Sequence, residues 1–372
     1  MSRSPRKIHV VHIVWSFGIG GTENGIVNLI NHSSDRIQHS VIALTELGAS
    51  TLRIHAPDVY TAALSKVVGH DIGAIFRLAK RLKSLRPDIV HCRGWATYFE
   101  SAIAAKMAGV PTLIHGEQGT TYFDKQRRVI AYRLLKHITS HYITVAEYLE
   151  KALYEIVLLK KSQVSYIPNG VDNQKFKPDD KVRLKVREEL GLKPTDFVVG
   201  SVGRLAPVKG YDILVRAIAE LQKKNSAIKA ILVGDGPLMN DLSSLAADAA
   251  AQIHFMGNSD RVHELYQALD LYVCSSHSEG MSNTILEALA CGLPVAATAV
   301  GGNIELVRKN ENGVLFPAND LTALVEVILR LEKNRALCLD MGKRACQIVQ
   351  KEFSQQAMID KYVNLYEKNV DN

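Results

Sequence analysis

The sequence predicts an α/β protein built from two doubly wound, Rossmann-like domains. Apolar strands alternate with helical periods along the whole chain, which is typical of parallel sheets covered by helices. The length of 372 residues exceeds what one hydrophobic core usually organises, and 47% hydrophobic residues can fill two cores. Glycine-rich turns follow several of the strands, so we expect ligands at the carboxyl ends of the sheets.

Short apolar runs that end at turns predict the strands of each half. In the first half they lie near residues 8–14, 39–45, 58–63, 88–92, 111–115, 140–145 and 163–167. In the second half they lie near 197–202, 229–233, 252–256, 269–274, 294–298 and 313–316. Helical periods follow the strands, including a long pair at about 320–351. Turn formers and polar residues from Asn169 to Pro178 predict the linker, which places the domains at 1–170 and 171–352.

The amino terminus imitates a signal peptide, with three cations before the apolar stretch 8–19. Two histidines and a serine interrupt that stretch and no small-residue cleavage site follows, so a first strand is the better interpretation. No apolar run reaches the roughly 20 residues that a membrane span needs. The five cysteines are odd in number and lack C-x-x-C spacing, which favours a reducing compartment. We therefore expect a cytoplasmic protein.

Two glutamates, Glu279 and Glu287, flank a glycine loop that opens a helix. In one unbroken helix they would lie about 12 Å apart along the axis and could not share a small ligand. If Gly280 breaks the chain and the helix starts near Thr284, Glu279 folds back over the helix terminus that Glu287 flanks. Free N–H groups there favour an anion, and the carboxylates on either side suit a sugar nucleotide. The alternative is that Thr284-x-x-Glu287 is only a capping box.

Cations and glycines on two further turns point to the same ligand. The strand 197–202 ends in a turn that carries Arg204 and Lys209, which together can neutralise a diphosphate. The strand 230–233 ends in Gly234-Asp-Gly-Pro237, with the proline at an expected first helical position. The three turns together predict a ligand crevice of the doubly wound type.

The chain resembles the family 4 retaining glycosyltransferases, which have the GT-B fold. The resemblance extends over nearly all of the sequence and rests on these segments: Gly20–Glu23, Asp88–His91, Ile167–Asp172, Gly203-Arg204 with Lys209-Gly210, Gly234–Pro237 and the Glu279-x7-Glu287 pair. It implies two Rossmann-like domains facing each other across a cleft, with the acceptor on the N-terminal domain and the donor on the C-terminal one. It also implies that the last helix, within 353–372, packs back onto the N-terminal domain.

The resemblance assigns roles to individual residues. Glu287 would bind the nucleotide ribose, Glu279 would contact the transferred sugar, and Arg204 with Lys209 would hold the diphosphate. The donor-binding residues implied are Gly20, Gly21, Gly203, Gly234, Gly257, Gly280, Met281, Ser282, Asn283, Thr284 and Glu287. The family also has a histidine after the fifth strand, near the transferred sugar. Two registers fit that role here, one with His115 and one with Gln118.

The implied activity is transfer of a hexose from a UDP- or GDP-sugar to an acceptor hydroxyl with retention, in polysaccharide or glycolipid assembly. The sequence does not choose between UDP and GDP, because base recognition in such folds is largely by main chain, here around 255–258. No metal site is expected, because the chain lacks Asp-x-Asp and the histidines show no metal-ligand spacing. No cofactor is expected either. His91 either lines the acceptor cleft or is a histidine beside the core.

Two alternatives from other classes stay open. A catalytically silent GT-B scaffold subunit is one, because Gln118 in the histidine position would lack an ionisable imidazole. The other is a nucleotide-dependent oxidoreductase or epimerase, suggested by the glycine turn 18–25 with Glu46 after the next strand. Glu23 stands where a dinucleotide fingerprint needs glycine, which argues against NAD.

The positive charge belongs to the N-terminal part. Residues 1–170 carry a net charge of +9 and the remainder −2, and the densest basic run is 125–137. Val129, Ile130, Tyr132, Leu134 and Leu135 interleave with its cations, so an anionic membrane surface is one expected partner. The alternative is an ordinary surface helix with a solvated basic face. No nucleic-acid motif accompanies the run.

Overall fold

The computed structural model describes residues 6–67, 69, 71–117, 125–224 and 227–370. The chain divides into two compact units, Met1–Gly170 with Gln355–Asn372 and Val171–Ser354. Each unit has its own parallel sheet with helices on both faces. No helix among the described residues has the length and apolar character that crossing a membrane requires.

The first unit contains, among its described residues, a seven-stranded parallel sheet in the order β3-β2-β1-β4-β5-β6-β7. Its strands are β1 Ile8–Val14, β2 Ile37–Ala43, β3 Tyr60–Ala63, β4 Ile89–Arg93, β5 Thr112–Glu117, β6 His141–Thr144 and β7 Val164–Tyr166. Its helices are α1 Gly21–His32, α2 Ile72–Leu85, α3 Trp95–Ala108, α4 Gln126–Leu135, α5 Glu147–Ala152 and, from the end of the chain, α14 Gln355–Val370.

Side chains alternate between the two faces of this sheet, so each face has its own core. One face packs against α2, α3 and α4 through residues such as Val11, Val90 and Leu78. The other packs against α1 and α14 through residues such as Val10 and Ile359. Because helices cover both faces, the central strands are apolar on both sides.

The second unit contains, where the structure describes it, a six-stranded parallel sheet in the order β10-β9-β8-β11-β12-β13. Its strands are β8 Phe197–Val202, β9 Ile228–Val233, β10 Ile253–Phe255, β11 Leu271–Cys274, β12 Val295–Thr298 and β13 Gly313–Phe316. Its helices are α6 Asp180–Glu189, α7 Tyr211–Lys224, α8 Met239–Asp248, α9 Val262–Gln267, α10 Asn283–Ala290, α11 Asn303–Leu306, α12 Leu321–Glu332 and α13 Arg335–Glu352.

The predicted strands are confirmed, each within two residues at either end. The terminal helix starts at Gln355 rather than Phe353, because Phe353 and Ser354 finish the second unit. There the Phe353 carbonyl accepts a hydrogen bond from Val171 N at 2.9 Å. The expectation that Pro237 opens a helix is wrong, since α8 begins at Met239. Residues 237 and 238 form a turn that Met239 N closes by donating to the Gly236 carbonyl at 3.1 Å, while Leu238 N donates to the Leu205 carbonyl.

Candidate active site

Most candidate residues of the second unit lie in the segments that follow the carboxyl ends of β8 and β11. These strands are neighbours in the sheet, with Leu271 opposite Val199. The chain runs from β8 to β9 and β10 on one side and returns to β11 on the other, so a topological switch point lies between β8 and β11. Open α/β sheets bind ligands at such a point.

An ion pair joins the two loops, with 2.6 Å between Lys209 Nζ and Glu279 Oε1. Lys209 ends the 3₁₀ turn Pro207–Lys209 that follows β8. Gly210 comes next with a φ of 59°, and a side chain there would collide with the carbonyl oxygen of Ser275. Glycine at this position therefore lets the loops lie close enough for the ion pair.

The Glu279 carboxylate is buried, and its position is fixed from two sides. Its Oε1 accepts a hydrogen bond from the Ser276 hydroxyl at 2.6 Å. Gly302 N donates to the carbonyl of Gly280 at 2.9 Å, which ties the Glu279 loop to the segment after β12. Gly301 lies so close to the Glu279 carbonyl that any side chain would collide with it. The Glu279 loop is thus held by the loop after β8 and by the segment after β12.

Helix α10 begins directly after this loop, near the predicted start. Ser282 is its N-cap, with the hydroxyl accepting a hydrogen bond from Ile285 N at 3.4 Å. Thr284 is already in the first turn, where its Oγ1 accepts from the Tyr272 hydroxyl at 2.7 Å. The capping-box alternative for Thr284-x-x-Glu287 is therefore wrong, because Ser282 takes the capping position. The positive end of the α10 dipole faces the switch point.

Glu287 lies one turn into α10, beside Tyr266. Its Oε2 accepts a hydrogen bond from the Tyr266 hydroxyl at 3.0 Å. Burial raises the pKa of Glu287 to about 7, while the Tyr266 hydrogen bond and the charge of Lys175 act in the opposite direction. Glu287 as a whole residue is partly exposed, and its carboxyl group titrates near neutral pH.

This pKa predicts how stability depends on pH. The folded protein binds the Glu287 proton more tightly than the unfolded chain does, so wild type should lose stability as pH rises from about 4.5 to above 7. The loss is about 3 kcal/mol at most. Glu287→Gln cannot ionise and should lack this component, so the variant should gain stability relative to wild type between pH 5 and pH 8. Urea unfolding at several pH values measures the free energy of unfolding of both proteins. If it changed with pH in the same way in wild type and variant, the shifted pKa would be refuted.

The remaining candidates of the second unit surround the same point. The Arg204 side chain is exposed and makes no hydrogen bond or ion pair with any residue that the structure describes, although the Arg204 carbonyl accepts a hydrogen bond from Ala206 N. The turns after β8, β9 and β10 meet there, since Leu205 N donates to the Asp235 carbonyl and Gly234 N to the Gly257 carbonyl. The structure thus gathers the predicted residues of this unit: Gly203, Arg204, Lys209, Gly234, Gly257, Glu279, Gly280, Met281, Ser282, Asn283, Thr284 and Glu287.

The predicted residues of the first unit are less closely grouped. Gly20 is the N-cap of α1 and Gly21 is its first residue. His115 lies inside β5 and is fully buried, with its ring stacked on Tyr98 at 3.9 Å between centroids. Gln118 lies outside the described residues. The choice between His115 and Gln118 for the family histidine stays a prediction.

Two groups of contacts escaped the sequence analysis. Tyr266 and Tyr272 anchor α10 through their hydroxyls, and Gly301-Gly302 packs against the Glu279 loop. Two consecutive glycines after β12 could have indicated that another backbone segment, here the Glu279 loop, lies close to them. No group of three or more histidine, cysteine or carboxylate side chains suited to a metal ion occurs within the described ranges.

Comparisons with known proteins agree on one family. Residues 19–175 match the model of glycosyltransferase family 4, and residues 182–347 match that of glycosyl transferases group 1. A UDP-Gal:alpha-D-GlcNAc-diphosphoundecaprenol alpha-1,3-galactosyltransferase from Escherichia coli is 31% identical over 308 residues, covering 80% of this chain and 79% of that protein. An N-acetyl-alpha-D-glucosaminyl L-malate synthase from Bacillus anthracis is 24% identical over 80% of this chain and 79% of that protein.

Solved structures share the fold. The crystal structure of Anabaena HepE with UDP and glucose has a TM-score of 0.83 at 22% identity, covering 96% of this chain and 99% of that one. WaaG, a glycosyltransferase of lipopolysaccharide biosynthesis, has a TM-score of 0.77 at 17% identity, covering 96% and 99%. The GT-B fold class is thereby confirmed, and the oxidoreductase alternative is set aside. The chain belongs to glycosyltransferase family 4 and is an enzyme that uses a nucleotide-sugar donor.

Proposed function

We propose that the protein transfers a hexose from a UDP-sugar to a hydroxyl of a lipid-linked diphosphate sugar, with retention at the anomeric carbon. The observation that carries the proposal is the Lys209–Glu279 ion pair at the switch point, on the loop that leads into the helix of Glu287. The E. coli relative supports the choice of UDP and of a lipid diphosphate acceptor, because its name specifies both. The second unit then binds the donor and the first unit the acceptor.

The proposed donor contacts follow from charge and position. The exposed Arg204 guanidinium and the Lys209 ammonium face the diphosphate, and the amino-terminal end of α10 adds its dipole. Glu287 accepts hydrogen bonds from the ribose hydroxyls, and Glu279 contacts the transferred sugar. During transfer the bond between the anomeric carbon and the diphosphate oxygen breaks, a bond to the acceptor oxygen forms, and the proton of the acceptor hydroxyl passes to the departing diphosphate. The two cations stabilise the negative charge that develops on the leaving diphosphate.

We propose further that these cations take the place of a divalent metal and that the enzyme needs no cofactor. Transfer from the preferred sugar nucleotide should then proceed at an unchanged rate in excess EDTA. A panel of UDP- and GDP-sugars in a thermal-shift assay identifies the donor, since a ligand at 100 times its Kd should stabilise by about 2.7 kcal/mol. Loss of turnover in EDTA with recovery in Mg²⁺ would overturn the metal independence. Donor binding without any turnover, even with a membrane extract as acceptor, would favour a scaffold subunit.

Peripheral binding at the inner face of the membrane is the last part of the proposal. In α4 the side chains of Ile130 and Leu134 are 52% and 67% exposed on one helix face. Arg133 and Lys136 already bond to backbone carbonyls of residues 156–158, and Arg128 lies over the Trp95 ring. The exposed Lys125 and Arg127 are therefore the cations of this run at the solvent side. Two apolar side chains flanked by cations suit an anionic lipid surface.

Replacing both apolar residues, Ile130→Glu with Leu134→Glu, should lower binding to phosphatidylglycerol-containing vesicles by about tenfold or more, because apolar burial is lost and negative charge is added. Vesicle co-sedimentation measures the change. Leu184→Glu is the matched control, since that leucine is 71% exposed on α6 of the other unit. Equal effects of the two substitutions, or no binding of wild type, would remove the membrane assignment.

A further inference from the structure

A buried row of polar side chains crosses the first unit between the sheet and α14. His39, His12 and His91 lie on the neighbouring strands β2, β1 and β4. The rings of His39 and His12 stack at 5.2 Å between centroids, and those of His12 and His91 lie 5.8 Å apart. His91 Nδ1 bonds to the hydroxyl of Tyr366 on α14 at 2.8 Å. No part of the proposed donor chemistry uses this row.

Arg93, at the carboxyl end of β4, brings a charge into the row. The residue is only 6% exposed. Its Nη1 donates to the Tyr362 hydroxyl at 3.1 Å, and its guanidinium carbon lies 5.0 Å from the Tyr362 ring centre. Nε and Nη2 are buried without a hydrogen-bond acceptor. Among the residues that the structure describes, no carboxylate forms an ion pair with Arg93.

The neighbouring histidines do not compensate this charge. Burial first, and then nearby charged groups that include Arg93, hold the pKa of His12 and of His91 well below the usual value, so both rings are neutral. A buried guanidinium with unfilled donors and no counter-charge is unfavourable in a folded protein. Arginine cannot relieve this by losing its proton. An anion supplied from outside the chain would compensate the charge of Arg93.

Further hydrogen-bond capacity lies at the same place. His91 Nε2 is also buried without a partner. Gly116 on β5 keeps a side chain away from this nitrogen, because a Cβ at this position would lie 2.9 Å from His91 Nε2 and 3.4 Å from Arg93 Cδ. When the Tyr366 hydroxyl donates to Nδ1, the neutral imidazole carries its proton on Nε2 and can donate it. Gly94, directly after Arg93, is partly exposed, and a Cβ there would meet open space.

We propose that Arg93 Nε and Nη2, with His91 Nε2, form an oxyanion site, and that its ligand is a phosphate group of the acceptor. The planar guanidinium fork matches two phosphate oxygens, and the site lies at the carboxyl end of a central strand, where doubly wound domains bind ligands. The choice of acceptor as the source rests on the proposed function. Free inorganic diphosphate offers the same chemistry and serves as the probe for the site itself.

The first arm tests the site without relying on turnover. With UDP present in excess to fill the donor site, inorganic diphosphate should raise the Tm of the full-length wild type but not that of Arg93→Gln. Lys83→Gln removes one exposed cation from α2 and should respond like wild type. Arg93→Met should unfold at a higher temperature than unliganded wild type, because it removes the uncompensated charge, and should not respond to diphosphate. Equal responses of wild type and both Arg93 variants would overturn the site.

The second arm tests the source of the phosphate. With a short-chain lipid diphosphate GlcNAc as acceptor, Arg93→Gln should raise the acceptor KM by about tenfold or more and leave the donor KM unchanged. With a neutral alkyl GlcNAc, wild type and variant should have similar KM values. An equal loss with both acceptors would refute a phosphate contact. If wild type uses neither acceptor, the proposed function fails, while the diphosphate arm still decides the anion site.

Discussion

Glu279→Gln is expected to lower the rate of sugar transfer by about 100-fold or more while nucleotide affinity and folding stay close to wild type. The carboxylate is fixed by Ser276 and Lys209 at the switch point, where charge placed in advance acts on the transition state rather than on the bound nucleotide. Glutamine has the same shape and can keep the Ser276 contact, so the loss reports on charge. Steady-state kinetics give kcat, and calorimetric titration with UDP gives the affinity.

Glu188→Gln, on the exposed face of α6, is the matched control and should leave both quantities unchanged. Circular dichroism and a melting curve establish that the Glu279 variant is folded. A variant with normal kcat would show that the Glu279 carboxylate has no part in transfer. A variant that loses UDP affinity as strongly as kcat would instead make Glu279 a nucleotide ligand.

Lys209→Ala is expected to weaken UDP binding by about 10- to 100-fold, because one charge-assisted contact to the diphosphate is lost. It should also destabilise the protein by about 1–2 kcal/mol, since Glu279 is left buried without its cation. Uridine has no phosphate, so its affinity should not change. Calorimetry with UDP and with uridine separates the two contributions.

Two further variants sharpen this test. Lys209→Ala combined with Glu279→Gln should recover part of the stability but none of the UDP affinity, because the uncompensated carboxylate is gone while the phosphate contact is still missing. Lys223→Ala, on the exposed side of α7, controls for the loss of one positive charge. Unchanged UDP affinity in Lys209→Ala would remove the lysine from the diphosphate site.

Local patterns made much of the fold predictable. Each strand is a short apolar run closed by a turn, and parallel strands buried on both faces show this pattern strongly. The two loops of the donor site were also predictable, because Lys209-Gly210 and Glu279-Gly280 each lie in the turn region after a strand. Their meeting required only that β8 and β11 be neighbours, which is the usual strand order of a doubly wound sheet.

Contacts between segments far apart in sequence were not predictable in the same way. Ser282, and not Thr284, caps helix α10. This outcome depends on Tyr272, whose hydroxyl donates a hydrogen bond to the Thr284 hydroxyl. Burial raises the pKa of Glu287, and the hydrogen bond that opposes this shift comes from Tyr266, 21 residues earlier. Arg93 looked like one cation among many, and only the packing of α14 against β4 shows that it is buried without a counter-charge.

The most direct test of the central claim is a crystal structure of the protein with UDP. We expect the ribose hydroxyls within hydrogen-bond distance of the Glu287 carboxyl group and the diphosphate between Lys209, Arg204 and the amino-terminal end of α10. UDP bound elsewhere, or with its phosphates pointing away from Lys209, would contradict the proposed donor site.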